Sequence, residues 1–86
     1  DVRTPAEYEE IHAVGAQLVP LDRFDAHALI RECPDGDCLY LICRSGSRGR
    51  QACERLLAAG FDRAVNVEGG TLAWEQAGLP VVRGRT

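Results

Sequence analysis

The sequence predicts one α/β domain with a central, mostly parallel sheet flanked by helices. Its 86 residues are enough for a single domain with a modest core. Short apolar runs alternate with segments of helical periodicity along the chain, a pattern typical of strands joined by crossover helices. One run, 38–42, is almost entirely apolar, which is expected for a strand covered on both faces. The ligand site of such a sheet lies at the carboxyl ends of its strands.

The first half of the chain contains signals for helix starts and turns. Residues 4–7, Thr-Pro-Ala-Glu, form a capping box with proline at the first helical position, and they predict a short helix through Glu10. Residues 17–19 predict a strand, and a helix is predicted over 22–31. The sequence Pro-Asp-Gly-Asp at 34–37 predicts a turn before the apolar strand.

The second half continues the alternation. The strand over 38–42 is followed by a helix that is predicted to end at Gly60. Residues 64–67 predict another short strand, and a last helix begins at the Gly-Gly pair 69–70 and stops at Gly78. The first of these helices has an apolar stripe at helical spacing, which consists of Ala52, Cys53, Leu56 and Leu57.

The segment from Cys43 to Arg50, Cys-Arg-Ser-Gly-Ser-Arg-Gly-Arg, lies where the apolar strand leads into this helix. Such a turn directs backbone N–H groups and the positive end of the helix dipole at one place, which lowers the pKa of a thiol and holds an anion. Arg44 and Arg48 carry planar guanidinium groups that suit sulfonate, phosphate or carboxylate oxygens, and Arg50 adds positive charge. The loop therefore predicts a reactive thiolate that meets a small anionic substrate.

The spacing of the loop bears on the transferred group. Phosphatases that form a cysteinyl phosphate carry their loop arginine at the position that is Gly49 here, whereas Arg48 comes one residue earlier. The cradle should therefore be smaller, and it suits a single sulfur atom on the cysteine better than a phosphoryl group.

These motifs together resemble the rhodanese family of sulfurtransferases, and the resemblance covers nearly the whole chain. Residues 1–8 resemble the first family motif, and 11–16 resemble the second, usually written GHIPGA. The segment 43–48 matches the active-site loop, CxxGxR. Residues 67–74, followed by Gly-Leu-Pro-Val at 78–81, match the closing motif.

The resemblance implies a rhodanese-like three-layer fold and a sulfur-transfer reaction. Cys43 would take a sulfane sulfur from thiosulfate or a persulfide donor and pass it, as a persulfide, to a thiophilic acceptor such as cyanide or a protein or small-molecule thiol. No cofactor or metal is implied. Many single-domain members carry a serine at position 49 that can bond the sulfur, and this chain has glycine there. The implied substrate-binding residues are Arg44, Ser45, Gly46, Ser47, Arg48 and Gly49.

Composition limits the partners. The formal net charge of -3 argues against general affinity for nucleic acid or anionic lipid, so a small anionic sulfur donor is the expected partner. All ten basic residues are arginine, which excludes a Schiff-base lysine. The four cysteines lack zinc-site spacing and favour a reducing, cytoplasmic setting. No apolar stretch approaches the ~20 residues of a membrane span, and we expect no membrane contact from this segment.

The resemblance implies that residues 1–86 form one rhodanese-like domain. The first family motif usually has two or three apolar strand residues before its aspartate, here Asp1. The sequence ends with residues 80–86, where some bacterial members continue into a short membrane anchor. Truncation at the N-terminal strand and at the C-terminus, and an anchor outside this segment, are therefore left open.

Two other function classes remain open at this point. A cysteine-dependent phosphatase or arsenate reductase is disfavoured by the loop spacing but uses the same residue types. A redox-sensing thiol module would use oxidation of Cys43 as its output. Cys53 and Trp74 are predicted to be core residues, Cys33 a surface or half-buried thiol, and Cys38 too far from Cys43 for a disulfide. Asp1 and Arg3 are predicted to form a buried or half-buried charge pair.

Overall fold

A computed structural model describes residues 1–84. Within that range no helix combines the length and the apolar character needed to cross a bilayer. The elements, in chain order, are α1 (Pro5–Glu10), β1 (Ile11–Ala13), a 3₁₀ helix (Leu21–Arg23), α2 (Ala26–Glu32), β2 (Leu39–Leu41), α3 (Ser47–Ala58), β3 (Ala64–Asn66), α4 (Gly70–Gln76) and β4 (Val81–Arg83).

The predicted α/β architecture is confirmed. Strands β2 and β3 pair in parallel, with Leu41 opposite Asn66 at their carboxyl ends. Strands β1 and β4 pair antiparallel, with His12 opposite Val82. The start of the chain lies beside the end of β2, because the Val2 N–H donates to the Ile42 carbonyl at 2.9 Å. The first sequence motif therefore lies next to the residues that precede the Cys43 loop.

The core lies between α3 and the parallel strands. Its largest fully buried side chains are Leu56, Val2 and Cys43, each at most 1% exposed. Leu56 lies on the predicted apolar stripe of α3, whereas Leu57 is 63% exposed, so the stripe was predicted one residue too wide. Cys43 thus belongs both to the loop and to the hydrophobic core, which anchors the position of its sulfur.

Two predicted elements differ from the structure. The helix predicted over 22–31 is divided into the 3₁₀ helix and α2, because the Asp25 side chain accepts from the Ala28 N–H at 3.1 Å and starts a new helix there. Residues 17–19 form no regular strand, although the Val19 N–H donates to the Asp1 carbonyl at 2.8 Å. Strands β1 and β4 were not predicted, because they pair with each other from opposite ends of the chain and no local pattern indicates that pairing.

Candidate active site

Cys43 follows β2 by two residues and lies at the entrance to α3. The turn between them is made by Gly46, whose φ of 119° is readily adopted only by glycine. The Gly46 N–H donates to Cys43 Sγ at 3.0 Å. The residue is only 1% exposed, so the sulfur lies at the base of the loop rather than on its rim.

The backbone around the sulfur favours the thiolate. Burial raises the pKa of Cys43, but the opposing effect of the loop amides is larger, and the net pKa is lowered. Among the residues that the structure describes, no side chain caps the start of α3, and the sulfur takes the place of the capping acceptor there. The N–H groups that lower the pKa belong to Gly49, Gly46, Ser45 and Arg48.

The carbonyl groups of Cys43 and Arg44 bond to the start of α4. The Cys43 carbonyl accepts from the Thr71 N–H at 2.8 Å and from the Thr71 hydroxyl at 3.1 Å. The Arg44 carbonyl accepts from the Leu72 N–H at 3.2 Å. A Cβ at Gly70 would lie 2.3 Å from the Cys43 carbonyl oxygen, so this close approach requires glycine. Gly70 of the closing motif is therefore required for the close packing of α4 against the loop.

Arg48 binds Glu7, for which the sequence predicts only a role in the capping box of α1. Its guanidinium makes two hydrogen bonds to the Glu7 carboxylate, at 2.7 and 2.9 Å. Glu7 also accepts from the Thr4 N–H at 3.1 Å, which confirms the capping box. The bond to Glu7 raises the pKa of Arg48, and the same bond lowers the pKa of Glu7 to about 2. Arg48 thus ties the loop to α1.

Asp1 and Arg3 form the predicted buried pair. Arg3 Nε and Nη2 donate to the two Asp1 carboxylate oxygens at 2.9 and 2.8 Å, and both side chains are at most 3% exposed. Arg3 Nη2 also donates to the Ile11 carbonyl at 2.6 Å. A buried guanidinium and carboxylate with these extra bonds act as a structural unit, which confirms that expectation.

The other predicted loop residues are brought together at the surface. Arg44, Ser45 and Ser47 are exposed, whereas Gly49 is buried against Asn66. A cleft of about 460 Å³ lies beside the loop. Residues 1–84 contain no group of three or more His, Cys, Asp or Glu side chains that could hold a metal ion. The lining of the cleft consists of Ser45, Gly46, Ser47, Arg50, Asn66, Glu68 and Gly69.

Three residues that contact the loop could not be recognised as site residues from the sequence, namely Glu7, Asn66 and Thr71. Glu7 is 41 positions from Arg48, and Asn66 is 20 from Gly46. The only usable signals were the exact sequence of the capping box and a polar residue at the end of a predicted strand. Neither signal identifies a partner.

Known proteins resemble this chain in sequence and fold. The family model of the rhodanese-like domain matches residues 1–77. A sulfurtransferase from Allochromatium vinosum is 37% identical over 82 residues, which are 95% of this chain and 75% of that protein. Thiosulfate sulfurtransferase 16 from Arabidopsis thaliana is 36% identical and is matched over 93% of this chain and 75% of its own length.

A solved structure supports the same relationship. A rhodanese-related protein from Thermoplasma volcanium has a TM-score of 0.77 and 28% identity, and the match covers 94% of this chain and 78% of that one. The predicted rhodanese-like fold is therefore confirmed. Across eight curated relatives, this chain spans between 20% and 75% of the relative's own length.

Cys43 is expected to ionise below about 8.5, the ordinary pKa of a thiol, because the loop amides outweigh the effect of burial. The measurement is a pH titration of thiolate ultraviolet absorbance, taken as the difference between the protein and its Cys43→Ser variant. Cys53 is the internal control, because burial raises its pKa, and its own difference titration should have the higher midpoint. A Cys43 midpoint equal to or above that of Cys53 would contradict the role given to the amides.

Glu7→Gln is expected to lower the free energy of unfolding by about 1 kcal/mol near neutral pH, after allowance for solvent screening. Glutamine preserves the capping box but removes the charge that Arg48 binds. Because pairing lowers the folded pKa of Glu7 to about 2, this stabilisation is complete above the ordinary glutamate pKa of about 4.3 and is lost as the pH falls toward 2.

Urea unfolding of both proteins at a series of pH values from neutral downward measures this effect. The difference in stability should narrow as the pH falls. Glu54→Gln, at an exposed carboxylate on α3, is the matched control. A difference that stays constant down to the acid limit would show that the ion pair contributes nothing.

Proposed function

This chain belongs to the rhodanese-like domain family, and on that premise we propose that it is a sulfurtransferase which carries a sulfane sulfur on Cys43. The observation that carries the proposal is the convergence of loop N–H groups on Cys43 Sγ, with that of Gly46 at 3.0 Å. A sulfur held in this way is a stabilised thiolate, and the thiolate is the nucleophilic form of cysteine. Named sulfurtransferases among the relatives support the same reaction class.

In the proposed first step, the Cys43 thiolate attacks the outer, sulfane sulfur of thiosulfate. The bond between Sγ and that sulfur forms as the sulfur–sulfur bond of thiosulfate breaks. Sulfite leaves with the electron pair of the broken bond, and the terminal sulfur of the Cys43 persulfide keeps the negative charge that it carried in thiosulfate. The loop amides stabilise this anion without any proton transfer, so the step needs no general base.

In the proposed second step, a thiophilic acceptor attacks the terminal sulfur of the persulfide. Cyanide would leave as thiocyanate, and a thiolate would leave as a persulfide. In both cases the bond to Sγ breaks and its electron pair returns to Cys43 as the thiolate. The charge at the sulfur is the same before and after the cycle, so the same amides serve both steps.

We assign the anionic end of the donor to Arg44 and to the backbone of the loop. Arg44 is exposed on the loop and has the planar guanidinium that suits a sulfonate group. The Arg48 guanidinium, by contrast, already makes two bonds to Glu7, and a donor would have to displace that carboxylate to bind it. Arg48 therefore holds the loop in place rather than binding the donor.

The depth of Cys43 supports transfer of one atom. With the residue only 1% exposed, a slender donor that presents a terminal sulfur suits the loop better than a bulky tetrahedral phosphate ester. The described free thiols are also suited to a reducing compartment, which supports a cytoplasmic location for the reaction.

Incubation of the purified protein with thiosulfate is expected to add one sulfur atom to Cys43, measured by intact-mass spectrometry. The Cys43→Ser variant should gain none, because its hydroxyl cannot displace sulfite. A wild-type protein that stays unmodified after treatment with both thiosulfate and a persulfide donor would contradict the proposal. Hydrolysis of an aryl phosphate faster than turnover of thiosulfate would replace it with the phosphatase alternative.

Arg44→Ala is expected to raise the KM for thiosulfate about tenfold with little change in kcat, because it removes a charge-assisted bond to the donor. Steady-state kinetics of sulfite release measures the effect. Arg31→Ala, at an exposed arginine in the last turn of α2, is the matched control and should leave the KM unchanged. An unchanged KM in the Arg44 variant would assign donor binding to the backbone alone.

A further inference from the structure

Asn66 is linked to the sulfur of Cys43 by two hydrogen bonds, one on each side of Gly46. It ends β3, directly opposite Leu41 of the strand that leads to Cys43. Its Nδ2 donates to the Gly46 carbonyl at 2.9 Å, and the N–H of the same glycine donates to Cys43 Sγ at 3.0 Å. The Asn66 carboxamide therefore restrains Gly46, whose own N–H donates to the sulfur.

The bond from Asn66 restrains the backbone at Gly46, where the chain is otherwise flexible. Gly46 adopts a φ of 119°, in a region where glycine gives the chain the most freedom. Its carbonyl accepts a second bond, from the Arg50 N–H at 3.0 Å, which is the first backbone bond of α3. With both bonds made, the plane of the peptide group between Gly46 and Ser47 is fixed relative to α3 and to β3. The N–H that bonds Cys43 Sγ belongs to the preceding peptide group, which is joined to this fixed plane through the Gly46 Cα.

The other end of the Asn66 carboxamide abuts Gly49. A Cβ at that position would lie 2.2 Å from Asn66 Oδ1 and 3.2 Å from its Cγ, so only glycine fits beside this side chain. Asn66 Oδ1 is buried and has no hydrogen-bond partner among residues 1–84. It faces the Cα hydrogens of Gly49, which provide at most a weak contact. This contact stabilises the Oδ1 atom very little. The side chain therefore contributes through its effect on the position of the loop.

We propose that Asn66 is a positioning residue for Cys43, which clamps the loop by bonding the Gly46 carbonyl and by filling the space beside Gly49. This clamp keeps the N–H groups of both glycines directed at Sγ. Its relevance to sulfur transfer rests on the proposed function, whereas its effect on the thiolate does not. It also accounts for the glycine at position 49, since a side chain there would collide with the carboxamide.

The test uses the thiolate absorbance titration of Cys43 in the absence of any sulfur donor. Asn66→Ala should raise the midpoint by about one pH unit and slow sulfur transfer at neutral pH, because the two glycine amides are no longer held. Asn66→Asp keeps the volume but cannot donate to the Gly46 carbonyl, and both this loss and its added negative charge should raise the midpoint. The rise in Asn66→Ala, which adds no charge, therefore decides the test. Val65→Ala, at an exposed neighbour on β3, should leave the midpoint unchanged.

A double-mutant cycle with position 49 tests the steric half of the clamp. Gly49→Ala alone should raise the midpoint, because its methyl group displaces the carboxamide. The same change in the Asn66→Ala background should add little, since the obstructing side chain is gone. Equal effects of Gly49→Ala in the two backgrounds would overturn the proposed clamp.

The readouts separate this inference from the proposed function. An unchanged midpoint in folded Asn66→Ala and Asn66→Asp proteins, with folding checked by urea unfolding, would overturn the positioning role even if sulfur transfer is observed. Shifted midpoints in a protein that accepts no sulfur would support the positioning role and reject the sulfurtransferase proposal.

Discussion

A loop that turns its N–H groups toward one sulfur must turn its C=O groups away from it, and those carbonyls need donors because buried backbone groups are costly when unpaired. The surrounding elements supply them. The Cys43 and Arg44 carbonyls bond to the start of α4, and the Gly46 carbonyl bonds to Asn66 and to α3. The position of α4 and the glycine at its start therefore follow from the requirements of the cradle.

The first sequence motif braces the same loop from the opposite side. Glu7 completes the cap of α1 and binds Arg48, so a local helix signal and a contact over 41 positions share one carboxylate. Beneath it, the buried pair of Asp1 and Arg3 also holds the carbonyl of Ile11 at the start of β1. Three of the four motifs, namely the first, the Cys43 loop and the closing motif, thus contact one another although they are far apart in sequence.

Features with local causes could be predicted from the sequence, and features with distant causes could not. The capping box, the position of the strand before Cys43 and the amides at the start of α3 depend on neighbouring residues, and each was predicted. The expectation that this strand is covered on both faces is wrong, because Tyr40 in the middle of β2 is 67% exposed. The partner of Arg48, the pairing of β1 with β4 and the contact of Asn66 with Gly49 depend on the folded arrangement. The division of the predicted helix 22–31 lies between these two cases. Asp22 and Asp25 are both suitable N-cap residues, and the sequence pattern does not show that α2 starts at Asp25.

Apart from its proposed role in sulfur transfer, the sulfur of Cys43 is the hydrogen-bond acceptor for the amides at the start of α3. A chemically silent version of this chain is therefore not a neutral one. Alanine at position 43 would leave helix amides without an acceptor inside the core, whereas serine keeps an oxygen there. A reagent that blocks the thiol would also remove this acceptor from the start of α3. The proposed activity and the stability of the fold therefore both depend on the Cys43 sulfur.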